Sequence, residues 1–134
     1  MSGHGAILLL AGFISILGQI VLLRELNVAF HGVELIYPVA IGEWMFFAAI
    51  GTLFHKARPS PNRTAIFFIL FAIFLLSGIV FIRGSTLFSD KIAGFSNFPF
   101  EQIATFIVPL LPVGLLSGLL FVETSSLYIY RDRR

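Results

Sequence analysis

The stretch Ala6-Ile-Leu-Leu-Leu-Ala-Gly-Phe-Ile-Ser-Ile-Leu-Gly-Gln-Ile-Val-Leu-Leu23 decides how this chain folds. It contains no Asp, Glu, Lys or Arg. As a helix rising 1.5 Å per residue it covers ~27 Å, close to the ~30 Å of a bilayer's hydrocarbon core. A soluble helix of that length carries a polar stripe toward water, and this one has none of comparable width. Three further runs have the same character: Leu35–Phe54, Ala65–Ile82 and Ile103–Val122. Across all four, Glu43 is the one acid or base. The expected fold is all-α: a polytopic membrane protein, one domain over residues 1–134, with transmembrane helices at about 6–23, 35–54, 65–82 and 103–122.

Composition points the same way. Hydrophobic residues make up 57% of the chain and charged residues 12%, against about 25% charged in soluble domains. Phe contributes 16 residues, more apolar surface than a soluble domain this small can hide. No cysteine is present, which excludes disulfides, thiol nucleophiles and cysteine metal sites. His4, His31 and His55 stand at segment edges without ligand spacing, so no metal and no cofactor is expected. The net charge of +2 is spread over segment ends, which gives nucleic acid no basic face. The residues before Ala6 carry no Lys or Arg, and no small-x-small cleavage site precedes Arg24-Glu25. The first run is therefore expected to be a retained span rather than a signal peptide.

Four spans return both termini to one side. That side would hold Lys56, Arg58 and Arg63 in the loop 55–64, and Arg131, Arg133 and Arg134 in the tail. The other would hold Arg24, Arg83 and Lys91. Six basic residues against three place the N- and C-termini in the cytoplasm by the positive-inside rule, in a multi-pass inner-membrane protein. Leu23, Leu26 and Phe30 continue the helical spacing of the first run beyond Arg24, with Gly32 as a stop. Arg24 can reach headgroups or pair with Glu25 or Glu34. The connection Arg83–Glu101 mixes glycine with Phe88, Phe95, Phe98 and Phe100, which suits either an interfacial segment or an irregular loop.

The spans differ in their polar and small residues. Glu43 lies near mid-span, where an ionised carboxylate costs about 2.5–3.5 kcal/mol on insertion scales. It reads either as a proton- or cation-binding carboxylate or as an interhelical tie. Gly12, Ser15 and Gln19 form one small, polar face on the first helix, and Ser15 and Gln19 fall near the depth of Glu43. A hydrogen-bonded cluster of Glu43, Ser15 and Gln19 is the expected site, with Gly12 in helix packing. The fourth run holds Pro109 and Pro112, which remove backbone donors and invite a bend. Gly114 and Gly118 follow as GxxxG, a spacing that lets another helix approach closely. The third run is nearly featureless and is expected to face lipid or to pack through Phe.

The order of features over Gly12–Phe54 resembles the N-terminal membrane segment of spermidine synthase-like membrane proteins. The resemblance is carried by Gly12-Phe-Ile-Ser-Ile-Leu-Gly-Gln-Ile-Val-Leu-Leu-Arg-Glu-Leu26 and Phe30-His-Gly-Val-Glu-Leu35, and beyond residue 55 it is one of hydropathy alone. In that family a transporter-like helical domain of the major-facilitator type precedes an aminopropyltransferase domain. Gly51-Thr-Leu-Phe-His-Lys56 keeps the glycine, leucine and base of the major-facilitator loop motif, with His55 where the motif has aspartate. The resemblance implies a transporter-like module without aminopropyltransferase catalysis, hence not an enzyme, and a small cationic metabolite such as a polyamine. Glu43 would then be the cation or proton partner. The rival expectations are a structural or assembly subunit, packed through Gly114 and Gly118 against other membrane helices or a second copy, and an N-terminal fragment of a longer fused protein. The partners expected are the lipid bilayer and, on the assembly reading, other membrane helices or a second copy; no P-loop, GxGxxG, GxSxG or HExxH occurs.

Overall fold

The computed structural model describes residues 3–30, 34, 36–54, 60–88 and 99–132. The described residues form four helices: α1 (Gly3–Ala29), α2 (Ile36–Leu53), α3 (Pro61–Phe88) and α4 (Pro99–Asp132). All four are long and apolar enough to cross a membrane. Three of them overrun their apolar runs. The first does so as Leu23, Leu26 and Phe30 foretold, with Leu26 fully buried. The basic turn 55–59 and the stretch 89–98 lie outside the described residues, as does the expected stop at Gly32. The connection expected over Arg83–Glu101 is shortened from both ends, because α3 runs on to Phe88 and α4 starts at Pro99.

α4 is the centre of the bundle. It packs on α1, α2 and α3, whereas α2 makes no contact with α3 and only a marginal one with α1. Its residues explain this. Pro109, Leu110, Val113, Gly114, Leu116, Ser117, Gly118 and Leu120 are all buried, so small and large side chains alternate around most of the helix. Helix packing in lipid gains from close contact rather than from expelling water, and small residues permit that contact.

The α2–α4 seam shows the effect at its strongest. A Cβ added at Gly118 would overlap the carbonyl oxygen of Ala48, and one at Gly51 would overlap the carbonyl oxygen of Leu115. At Gly114 it would stand 2.8 Å from Phe47 Cβ and 3.3 Å from the Trp44 oxygen. The hydrogen that glycine carries in that direction points at the facing carbonyl, which is Cα–H···O geometry. Gly114 and Gly118 thus pack within the chain, against the parallel helix α2.

Several sequence expectations are redirected. Gly12 has nothing within 4 Å of its missing Cβ and takes no part in helix packing. The close glycine of α1 is Gly18, whose Cβ would lie 2.8 Å from Phe71 Cζ on α3. α3 does both things expected of it, turning Ile66, Ile73 and Val80 outward and packing through Phe71. Phe71 and Ile82 are buried to within 1% of their surface, and Gly78 receives Pro109 of α4 and Leu22 of α1. Pro109 and Pro112 lie inside one continuous helix. Proline bonds no i−4 carbonyl, so those of Thr105 and Val108 lose their usual helical donor. Where α1 ends, Phe30 stacks on Phe106 with ring centroids 4.5 Å apart.

Candidate functional site

Two ionic ties and one unpaired carboxylate oxygen organise the polar chemistry of the bundle. The first tie begins at Ser60-Pro61. Proline suits the first helical position, where no backbone donor is needed. The Ser60 carbonyl accepts the Thr64 N–H at 3.1 Å and the Thr64 hydroxyl at 3.2 Å, closing the first turn of α3. The N–H of Ser60 donates to Glu123 Oε1 at 2.9 Å, and Arg63 Nη2 donates to Glu123 Oε2 at 2.7 Å. Glu123 is wholly buried, while the Arg63 side chain keeps 32% of its surface. A carboxylate from α4 therefore sits at the N-terminus of α3, where the helix dipole favours negative charge.

The second tie joins the other ends of α1 and α3. Arg83 donates through Nε to Glu25 Oε2 at 2.9 Å and through Nη2 to Glu25 Oε1 at 2.8 Å, the two-pronged geometry suited to a guanidinium and a carboxylate. Glu25 thus pairs across helices, and the exposed Arg24 is not its hydrogen-bond donor among the described residues. The Arg83 side chain is 68% exposed, so water competes for it. Arg83→Gln is expected to leave the denaturant unfolding midpoint nearly unchanged. A loss as large as that of a buried pair would show the tie to be shielded from solvent.

Glu43 lies halfway between the ties. Glu123 meets Arg63 and Pro109 meets Gly78, so α3 and α4 run antiparallel in a register that sets Gly114 level with Ile73. Trp44, next to Glu43, lies against Gly114. Ile73 is midway along α3 between Arg63 and Arg83. The Oε2 atom of Glu43 is buried without a hydrogen-bond partner, one of two such side-chain atoms among the described residues, with Asn27 Oδ1 the other. The expected cluster with Ser15 and Gln19 is therefore not made through this oxygen. The physical reason lies in the packing: α1 packs chiefly on α4, and less on α3 and α2. Ser15 and Gln19 are half-buried on α1.

Glu123 and Ser60 were missed in the sequence because Glu123 falls one residue past the apolar run that ends at Val122. The available signal was helical continuation: Thr124, Ser125 and Ser126 form no breaker, and Thr124 and Ser125 return their hydroxyls to backbone carbonyls of the preceding turn. Among the described residues no group of three or more His, Cys, Asp or Glu could hold a metal ion. No protein-family model, curated protein or solved structure matches this chain.

Proposed function

We propose that this chain is a membrane-embedded helical module that handles a small organic cation of the polyamine type, with Glu43 as the carboxylate that meets the cation or a proton. The observation that carries the reading is the buried, unpaired Oε2 of Glu43 midway along the bundle. An acid in an apolar surround is costly and is retained where it has a charge or a proton to receive. The resemblance over Gly12–Phe54 supplies the substrate class and, with it, Ser15 and Gln19 as the supporting polar groups on α1. The end of the bundle holding Arg63 and Glu123 is assigned to the cytoplasm, since Lys56, Arg58 and the tail arginines belong to it. The inner membrane is the matching location.

Uptake of labelled polyamine into proteoliposomes tests this. Uptake is expected with the unmodified chain and should be lost in Glu43→Gln. Because Oε2 makes no hydrogen bond, the same substitution should leave the unfolding midpoint of the purified protein unchanged or raised. Uptake that survives Glu43→Gln would remove the carboxylate from the mechanism.

A second reading, a non-catalytic assembly subunit, is favoured by the placement of α2. That helix touches α4 closely and α3 not at all, and its exposed Tyr37, Ile41 and Met45 leave a broad apolar face open to other membrane helices. Absence of uptake under any gradient, together with co-purification of a larger membrane complex, would decide for it.

A further inference from the structure

We infer that the Arg63–Glu123 and Arg83–Glu25 ties mark the two edges of the bilayer's hydrocarbon core, and that the apolar belt between them is matched to lipid acyl chains over a thickness of ~30 Å. The inference is independent of any cation chemistry at Glu43.

Its first support is spacing. Arg63 and Arg83 are twenty residues apart on the one helix α3, which at 1.5 Å per residue sets the ties ~30 Å apart. The second is agreement among helices that reach these levels through different contacts. On α4, Glu123 marks one level, and the antiparallel register with α3 brings the other to Ala104. On α1, Glu25 marks one level, and the parallel contacts of Leu22 with Gly78 and of Gly18 with Phe71 carry the other to between Ile7 and Leu10. On α2, the contacts of Ala48 with Gly118 and of Trp44 with Gly114 carry the two levels to Leu53 and Glu34, and that of Gly51 with Leu115 moves both about one and a half turns further along the chain.

The third support is chemical. Strictly between the two levels, Glu43 is the only Asp, Glu or Lys, and Arg24, adjoining Glu25, is the only Arg. Most outward side chains there are apolar, among them Phe13, Ile20, Phe46, Ile73, Leu76 and Val80, and the exposed Ser77 returns its hydroxyl to the Phe74 carbonyl. Ionic ties at the edges, one buried at Glu123 and one exposed at Arg83, keep four charges paired near the headgroups. α4 overruns the Glu123 level, so the exposed Tyr128, Ile129 and Tyr130 fall among the headgroups, where amphipathic rings accumulate.

Because the chain lacks cysteine, single nitroxide labels can report depth directly. Ile66, Ile73 and Val80 are exposed, share one face of α3 by their sevenfold spacing, and stand at mirror-related distances from Arg63 and Arg83. In dioleoylphosphatidylcholine vesicles, labels on Ile66→Cys, Ile73→Cys and Val80→Cys are compared for collision with oxygen and with a water-soluble nickel chelate. The oxygen-to-nickel ratio should peak at position 73 and fall to matching values at 66 and 80. A steady gradient from 66 to 80 would place one tie inside the core and overturn the assignment. Low oxygen collision at all three would put protein rather than acyl chains against this face and would likewise overturn the assignment. The unlabelled chain gives a second measurement, its melting temperature in phosphatidylcholines of increasing chain length. A maximum at the lipid whose core is ~30 Å is expected; a monotonic trend would overturn the match.

Discussion

Arg63→Ala is expected to destabilise the fold by about 3 kcal/mol, the low end of what breaking a buried ion pair costs. The loss is large because of what remains: Glu123 stays wholly buried, with the guanidinium 2.7 Å from its Oε2 gone. It is held to the low end because Arg63 is one-third exposed and water can partly replace it. Denaturant unfolding in a fixed micelle would read the change. The double variant Arg63→Ala, Glu123→Leu should recover much of the loss, since an apolar pair needs no desolvation. Its failure to recover would assign the energy to the Ser60 N–H that Glu123 accepts at 2.9 Å, the cap on α3. An unfolding midpoint unchanged in Arg63→Ala would remove the tie from the account of stability altogether. The contrast with Arg83→Gln makes the test specific, because the two pairs have similar lengths and differ in burial.

The second large effect is expected at Gly118. A methyl group there meets the carbonyl oxygen of Ala48, which is helix backbone and cannot rotate away. Gly118→Ala should therefore push α2 from α4 and cost about 1–3 kcal/mol or more, as overpacking does. Gly114→Ala should be damaging too, because Phe47 Cβ, 2.8 Å from the new methyl, is anchored to its backbone. Gly12→Ala should be neutral or slightly stabilising, since nothing lies within 4 Å and alanine is the better helix former. Trp44 is the chain's single tryptophan and is 5% exposed on this seam, so its emission follows the opening of α2 directly. Equal melting of Gly12→Ala and Gly118→Ala would refute the seam.

These two sites were unequally legible. Gly114 and Gly118 announce close packing by their spacing, because glycine four residues apart lies on one helix face. Their partner was not legible, since the spacing is the same whether the facing helix is α2 or a second copy. Gly51 and Gly18, which make equally close approaches, carry no spacing signal of their own. The Arg63–Glu123 tie was hidden more deeply. Its members are separated by 60 residues, and hydropathy ends the fourth run just before Glu123. Glu43 was legible as an anomaly because a lone acid in an apolar run has no local compensation. That its Oε2 stays unpaired was not, because the answer depends on how α1 leans.

The apolar stretch Ala6–Leu23 and its three counterparts determined by themselves that this is a helical membrane chain. Backbone polar groups in hydrocarbon must be satisfied within each segment, and an uninterrupted apolar run leaves a helix as the solution. Tertiary structure alone decided which helix is central, which glycines touch, and which acid meets which arginine. In lipid every apolar face is equally soluble, so hydropathy does not rank the faces of α1, α3 or α4. The ranking comes from contact shape, such as Gly118 against the Ala48 carbonyl, and contact shape exists only once the helices are side by side.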